Sequence, residues 1–115
     1  MIKIHAFLSK DGMTVSAAGH AGMGPQGSDI VCAGVSALLY GFAAYLENVV
    51  PGGAEALSRL EYSEGDGALR LETRGLEGAD LRGWEVVSRG LRLIEETYPS
   101  CVRLSDEIFR ETSCV

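Results

Sequence analysis

The sequence predicts an α+β fold, a single domain over residues 1–115 with a mostly antiparallel sheet and two helices in the order β-β-α-β-β-α-β. Three observations carry it. Two pairs of alternating segments each close on an Asp-Gly turn; two long segments have helical rather than alternating patterning; and the opening hairpin excludes an all-parallel sheet. With 46% hydrophobic and 23% charged residues over 115 positions, a core forms without disulfides or a structural metal.

The elements follow in order. Ile2, Ile4, Ala6 and Leu8 alternate with Lys3, His5, Phe7 and Ser9, which is a half-buried strand. Lys10-Asp11-Gly12 turns the chain, and Met13, Val15 and Ala17 continue the alternation to near His20. The stretch Gly22-Met23-Gly24-Pro25-Gln26-Gly27 is too glycine-rich for regular structure. Ser28 or Asp29 caps a helix that runs to about Asn48, where Pro51-Gly52-Gly53 stops it. Strands from Ser58 to Glu64 and from Ala68 to Arg74 flank Gly65-Asp66-Gly67. A second helix, from about Asp80 to Tyr98, carries an apolar stripe of Trp84, Val87, Leu91, Ile94 and Tyr98, and Pro99 ends it. Val102 and Leu104 mark a short last strand.

The first helix carries no charge from Ile30 to Leu46. That run sits at the short limit of a membrane span, but it holds Gly34, Ser36 and Gly41 and has no basic flank, so it reads as a deeply buried helix. A sheet covers only one face of such a helix. The rest needs the second helix or another subunit, which predicts a homodimer.

Charge and cysteine usage narrow the function. With 16 acidic and 10 basic side chains the net charge is −6, which excludes direct binding to a nucleic-acid backbone; two lysines make no polybasic membrane patch. Cys32, Cys101 and Cys114 are odd in number and lack metal-type spacing, and the N-terminus has no signal-peptide layout. A reducing cytoplasm is the expected location.

The segment from Gly19 to Cys32 carries the chemistry. It places His20 at a strand end and Cys32 in the first turn of a helix, with a glycine-rich loop between. A helix N-terminus stabilises a thiolate through its aligned amide dipoles. An imidazole within reach can take the thiol proton and return it to a leaving amine, and the amides at the helix start are expected to hold an oxyanion. The competing reading makes Cys32 a core residue and His20 an ordinary strand end. Cys101 and Cys114 have no histidine near in sequence, and His5 reads as a solvated strand residue.

Gly22-x-Gly24-x-x-Gly27 also matches a dinucleotide-binding pattern. The preceding strand belongs to a hairpin, Pro25 disturbs the loop, and no acidic residue closes a following parallel strand. Gly22, Gly24 and Gly27 are better read as a flap that moves to admit a peptide. Asp29 reads as a helix cap, with orientation of His20 as the alternative. Ser36, one turn after Cys32, bonds the helix backbone or supports the thiol or histidine.

Gly19-His20-Ala21, a glycine-rich stretch, and Gly27-x-Asp29-Ile30-Val31-Cys32-Ala33-x-Val35-Ser36-Ala37-Leu38 together resemble the ribosomal-processing cysteine protease (Prp) family of bacteria. The chain length, the opening hairpin and Tyr98-Pro99 before a final strand extend the resemblance more loosely. It implies Cys32 as nucleophile and His20 as general base, with Asp29 and Ser36 in supporting positions. It also implies a homodimer in the cytoplasm that uses no metal or other cofactor. Its substrate would be the large-subunit ribosomal protein numbered twenty-seven, from which it removes a short N-terminal extension. Gly34 stands where alanine is more usual, and Met23 where an aromatic is common. An acidic chain suits a basic ribosomal protein as partner. The rival functions are a non-catalytic ribosome-associated binding protein with a buried structural Cys32, and a thiol redox protein, which would need a resolving cysteine nearby.

Overall fold

Alternation in the sequence becomes a five-stranded sheet, because each alternating strand has one apolar face to bury. The computed structural model describes residues 1–9, 11–24, 29–63, 67–74 and 78–108. In chain order it contains β1 (Ile2–Ser9), β2 (Gly12–Ala18), α1 (Ile30–Asn48), α2 (Gly53–Ala56), β3 (Leu57–Ser63), β4 (Ala68–Arg74), α3 (Gly78–Thr97) and β5 (Val102–Ile108). The sheet order is β3-β4-β2-β1-β5. The β1–β2, β2–β4 and β3–β4 pairs are antiparallel, and β5 lies parallel to β1. The sheet is therefore mixed, with antiparallel pairing dominant. The additional helix, α2, is a single turn directly after the Pro51-Gly52 break.

The buried face is the one the alternation predicts. Ile2, Ile4, Ala6 and Leu8 from β1 join Met13, Val15 and Ala17 from β2, Leu69 and Leu71 from β4, and Val102 and Leu104 from β5. Against them pack Val35, Leu39, Phe42 and Leu46 of α1 and Trp84, Val87 and Leu91 of α3, in one contiguous cluster. Phe42 and Trp84 meet edge to face, their ring centroids 5.5 Å apart. The two helices approach closely because small residues stand at their crossing: Leu38 lies over Gly90, Tyr45 over Gly83 and Ile94 against Gly34. A methyl group at Gly34 would sit 3.2 Å from the tip of Ile94, which would have to give by a few tenths of an ångström.

α3 is also tied to the sheet edge. Glu95 accepts the Leu104 N–H at 2.6 Å, and Arg92 donates to the Leu104 carbonyl at 3.0 Å. The Leu104 amide, helped by Arg92, holds the Glu95 carboxyl below its ordinary value against the cost of burial.

The expectation of a deeply buried first helix needs correction. α1 is long and apolar enough to pass for a membrane span, yet only 33% of that window is buried inside the fold. The sheet takes one face and α3 one flank, leaving Ile30, Ala33, Ala37, Tyr40 and Ala44 exposed. β3, an edge strand, is exposed along almost its whole length.

Candidate active site

The site forms where β2 ends and α1 begins. Asp29 caps α1: its Oδ1 accepts the N–H groups of Val31 at 3.0 Å and Cys32 at 3.1 Å, and its backbone carbonyl accepts the Ala33 N–H at 3.0 Å. Its Oδ2 accepts the Met23 N–H at 2.9 Å, which ties the loop to the helix start. Asp29 is buried, and these amides, that of Cys32 foremost, hold its carboxyl below its ordinary value despite the burial. Both carboxylate oxygens are thereby engaged, so the structure places Asp29 as the cap and gives it no bond to His20.

The cap also changes the expected oxyanion site. The Val31, Cys32 and Ala33 amides already have acceptors on Asp29. The amide aimed at the thiol comes from the loop instead: Ala21 donates its N–H to Cys32 Sγ at 3.5 Å. Hydrogen bonds to sulfur are long, and this one aims a backbone donor from the loop at the Cys32 sulfur.

Cys32 is half-buried and lines a cavity of about 380 Å³ together with His20, Asp29, Ser36, Gly22 and Gly24. Leu39, Tyr62 and Leu69 form an apolar part of the same cavity. His20 follows β2 through Gly19, whose φ of +106° lets β1 pass close by: a side chain there would collide with the Met1 carbonyl. The His20 backbone carbonyl accepts from the Met1 nitrogen at 2.6 Å. Gly19 itself donates to the Gly67 carbonyl at 3.2 Å, extending the β2–β4 pairing to the histidine. Among the described residues, no hydrogen bond joins the His20 ring to Cys32.

Ser36 lies one turn after Cys32, half-buried on the cavity wall, and among the described residues its hydroxyl makes no hydrogen bond. Of the flap glycines, Gly22 and Gly24 are exposed on the cavity rim, while Gly27 lies outside the described residues. Sequence reasoning missed three contributors: the Ala21 amide, Tyr62 and Gly67. A backbone donor leaves no residue-type signal. Tyr62 touches the site only because β3 lies beside α1, where its ring meets that of Tyr40 at 5.8 Å. Gly67 is hidden in a segment that reads as a turn and nothing more.

With this geometry in place, the comparisons with known proteins decide the family. A family model described as "Cysteine protease Prp" matches residues 1–103. The chain belongs to the cysteine protease Prp family.

Solved structures agree with that membership. An essential ribosomal processing protease Prp from S. aureus, in complex with a covalently linked product peptide, is 25% identical. The match covers 93% of this chain and 100% of that one, with a TM-score of 0.75. The same protease with a substrate peptide matches in fold at 24% identity and a TM-score of 0.68, over 93% of this chain and 100% of that one. SMU.848 from Streptococcus mutans is 26% identical, covering 95% of this chain and 96% of that one, with a TM-score of 0.71. No curated protein matches the chain. As a Prp family member the protein is a cysteine protease.

Proposed function

We propose that this cysteine protease removes a short N-terminal extension from a large-subunit ribosomal protein, the one numbered twenty-seven, in the cytoplasm. The observation that carries the site assignment is the shared cavity: Cys32 opens into it with the Ala21 amide on its sulfur and His20 on its wall. His20 takes the Cys32 proton, and the thiolate attacks the scissile carbonyl. The oxyanion that forms takes over the Ala21 N–H. The imidazolium then gives its proton to the leaving amine, and water, deprotonated by His20, clears the thioester. The regenerated thiol and the acid product balance the cycle.

Three considerations support the substrate. The similar S. aureus protein is described as a ribosomal processing protease and holds a product peptide. The net charge of −6 attracts a basic ribosomal protein and repels assembled RNA. The apolar cavity wall of Leu39, Tyr62 and Leu69 suits an extended peptide better than a polar ligand. A purely structural Cys32 would be buried as Cys101 is, and Cys32 instead lines the open cavity.

A homodimer belongs to the same proposal. The exposed apolar stripe of α1 continues into a groove of about 400 Å³ lined by Gly41, Phe42, Tyr45, Val86 and Val87. A second copy would cover both. The substrate reading is tested by incubating the protein with the N-terminally extended ribosomal protein and sequencing the new N-terminus. We expect one cut that removes the extension. An extended protein left intact under conditions where the enzyme cleaves other peptides would refute this substrate.

A further inference from the structure

We propose that Gly67 is a positioning residue for His20: its missing side chain is the seat of the imidazole. This inference rests on His20 being the general base of the protease. A general base works only when its ring is held in orientation, commonly by a third side chain. That device is absent among the described residues. Asp29 spends both carboxylate oxygens on the Val31, Cys32 and Met23 amides. Among the described residues, nothing hydrogen-bonds either nitrogen of the His20 ring.

What the ring does have is Gly67. A Cβ at Gly67 would stand 2.7 Å from His20 Cε1 and 3.0 Å from Nε2, and 2.8 Å from the Gly19 carbonyl oxygen. Those distances are shorter than carbon contacts allow, so the imidazole occupies the volume a side chain would fill. Gly67 also adopts φ +57°, and its carbonyl accepts the Gly19 N–H one residue before the histidine. One glycine therefore fixes the backbone entering His20 and backs its ring. The residue just before β4 thus sets the aim of a group far away in sequence. Among the described residues, packing against Gly67 stands where other proteases use a carboxylate.

The test must separate ring displacement from the backbone strain that any substitution at positive φ brings. Gly52 supplies the control: its φ is +71°, a Cβ there would meet nothing within 4 Å, and it does not line the cavity. Gly67→Ala should lower kcat roughly tenfold to 100-fold with KM nearly unchanged, the loss expected from misplacing a reacting group by about an ångström. It should also move the pH profile of Cys32 alkylation by iodoacetamide, a readout that needs no peptide substrate. Gly52→Ala should lower thermal stability while leaving both readouts as in the wild type.

Wild-type kinetics and a wild-type alkylation profile in Gly67→Ala would overturn the proposal. Should that variant fail to fold, the wild-type protein decides: a through-space NMR contact between the Gly67 Hα protons and the His20 Cε1 proton is expected, and its absence overturns the proposal. Cys32→Ala in the same cleavage assay tests the protease reading separately, so the two failures are distinguishable.

Discussion

Cys32 and Cys101 are the two described free thiols, and they sit in opposite settings. Cys101 is 6% exposed just before β5, and its carbonyl accepts the Ile2 N–H at 2.7 Å. It helps bring β5 alongside β1 and fills core volume. Cys32 is half-buried in the first turn of α1, faces a cavity shared with His20, and accepts an N–H on its sulfur. Thiol reactivity is therefore built by surroundings: an open wall, a backbone donor and an imidazole nearby. Cys101 has none of these among the described residues and needs none.

The widest separation between the two regions should come from their histidine. His20→Ala should lower kcat for peptide cleavage by about 100- to 10,000-fold, the usual contribution of a positioned general base. His5→Ala, on the solvent face of β1, should leave kcat within about twofold, since nothing there touches the cavity. Steady-state kinetics on one peptide checks both. Equal losses in the two variants would break the contrast on which the site rests.

Alkylation sharpens the contrast next. In the folded protein, iodoacetamide at neutral pH should modify Cys32 at least about tenfold faster than Cys101, because one thiol faces an open cavity and the other is enclosed. Peptide mapping by mass spectrometry reads the two sites separately. In denaturant the rates should converge. A folded protein that labels faster at Cys101 would invert the assignment.

A subtler effect concerns the Asp29 anchor. Its folded carboxyl lies below its ordinary 3.8, so the stabilisation it gives is present above that value and lost as pH falls through the lowered one. Glu95 has the same sign at the β5 edge, below its ordinary 4.5. Thermal melts from about pH 6 down to about pH 2.5 should show the wild type losing stability toward the acid end. Asp29→Asn should lose less over that span, since it has no carboxyl to protonate there. An identical acid slope in the variant would remove Asp29 from the set of pH-sensitive anchors.

Much of the fold was legible because alternation and helical spacing report burial directly. β1, β2, β4 and the stripe of α3 stand where the sequence placed them, with Trp84, Val87 and Leu91 buried as expected. That the sheet would cover only one face of α1 was legible from its uncharged run, but how little of the rest α3 covers was not, because apolar residues such as Ile30, Ala37 and Tyr40 read alike whether they face a core or water. Which strand β5 pairs with, and that it pairs in parallel, depends on contacts distant in sequence. That His20 and Cys32 would lie near one another was legible from the single segment that holds both, and they line one cavity. Tyr62 lies on β3 and Gly67 just before β4, and no local spacing links them to that segment. Asp29 reads two ways in sequence; in the structure its oxygens accept the amides of Val31, Cys32 and Met23, a pattern that only the folded loop brings together.

Peptide cleavage by this mechanism requires Cys32 as the nucleophile. The direct measurement mixes the N-terminally extended ribosomal protein with wild type, Cys101→Ala or Cys32→Ala enzyme, quenches in acid, and weighs the products. Shortened protein is expected from the wild type and from Cys101→Ala, and only intact protein from a folded Cys32→Ala. Shortening by Cys32→Ala at the wild-type rate would contradict the assignment.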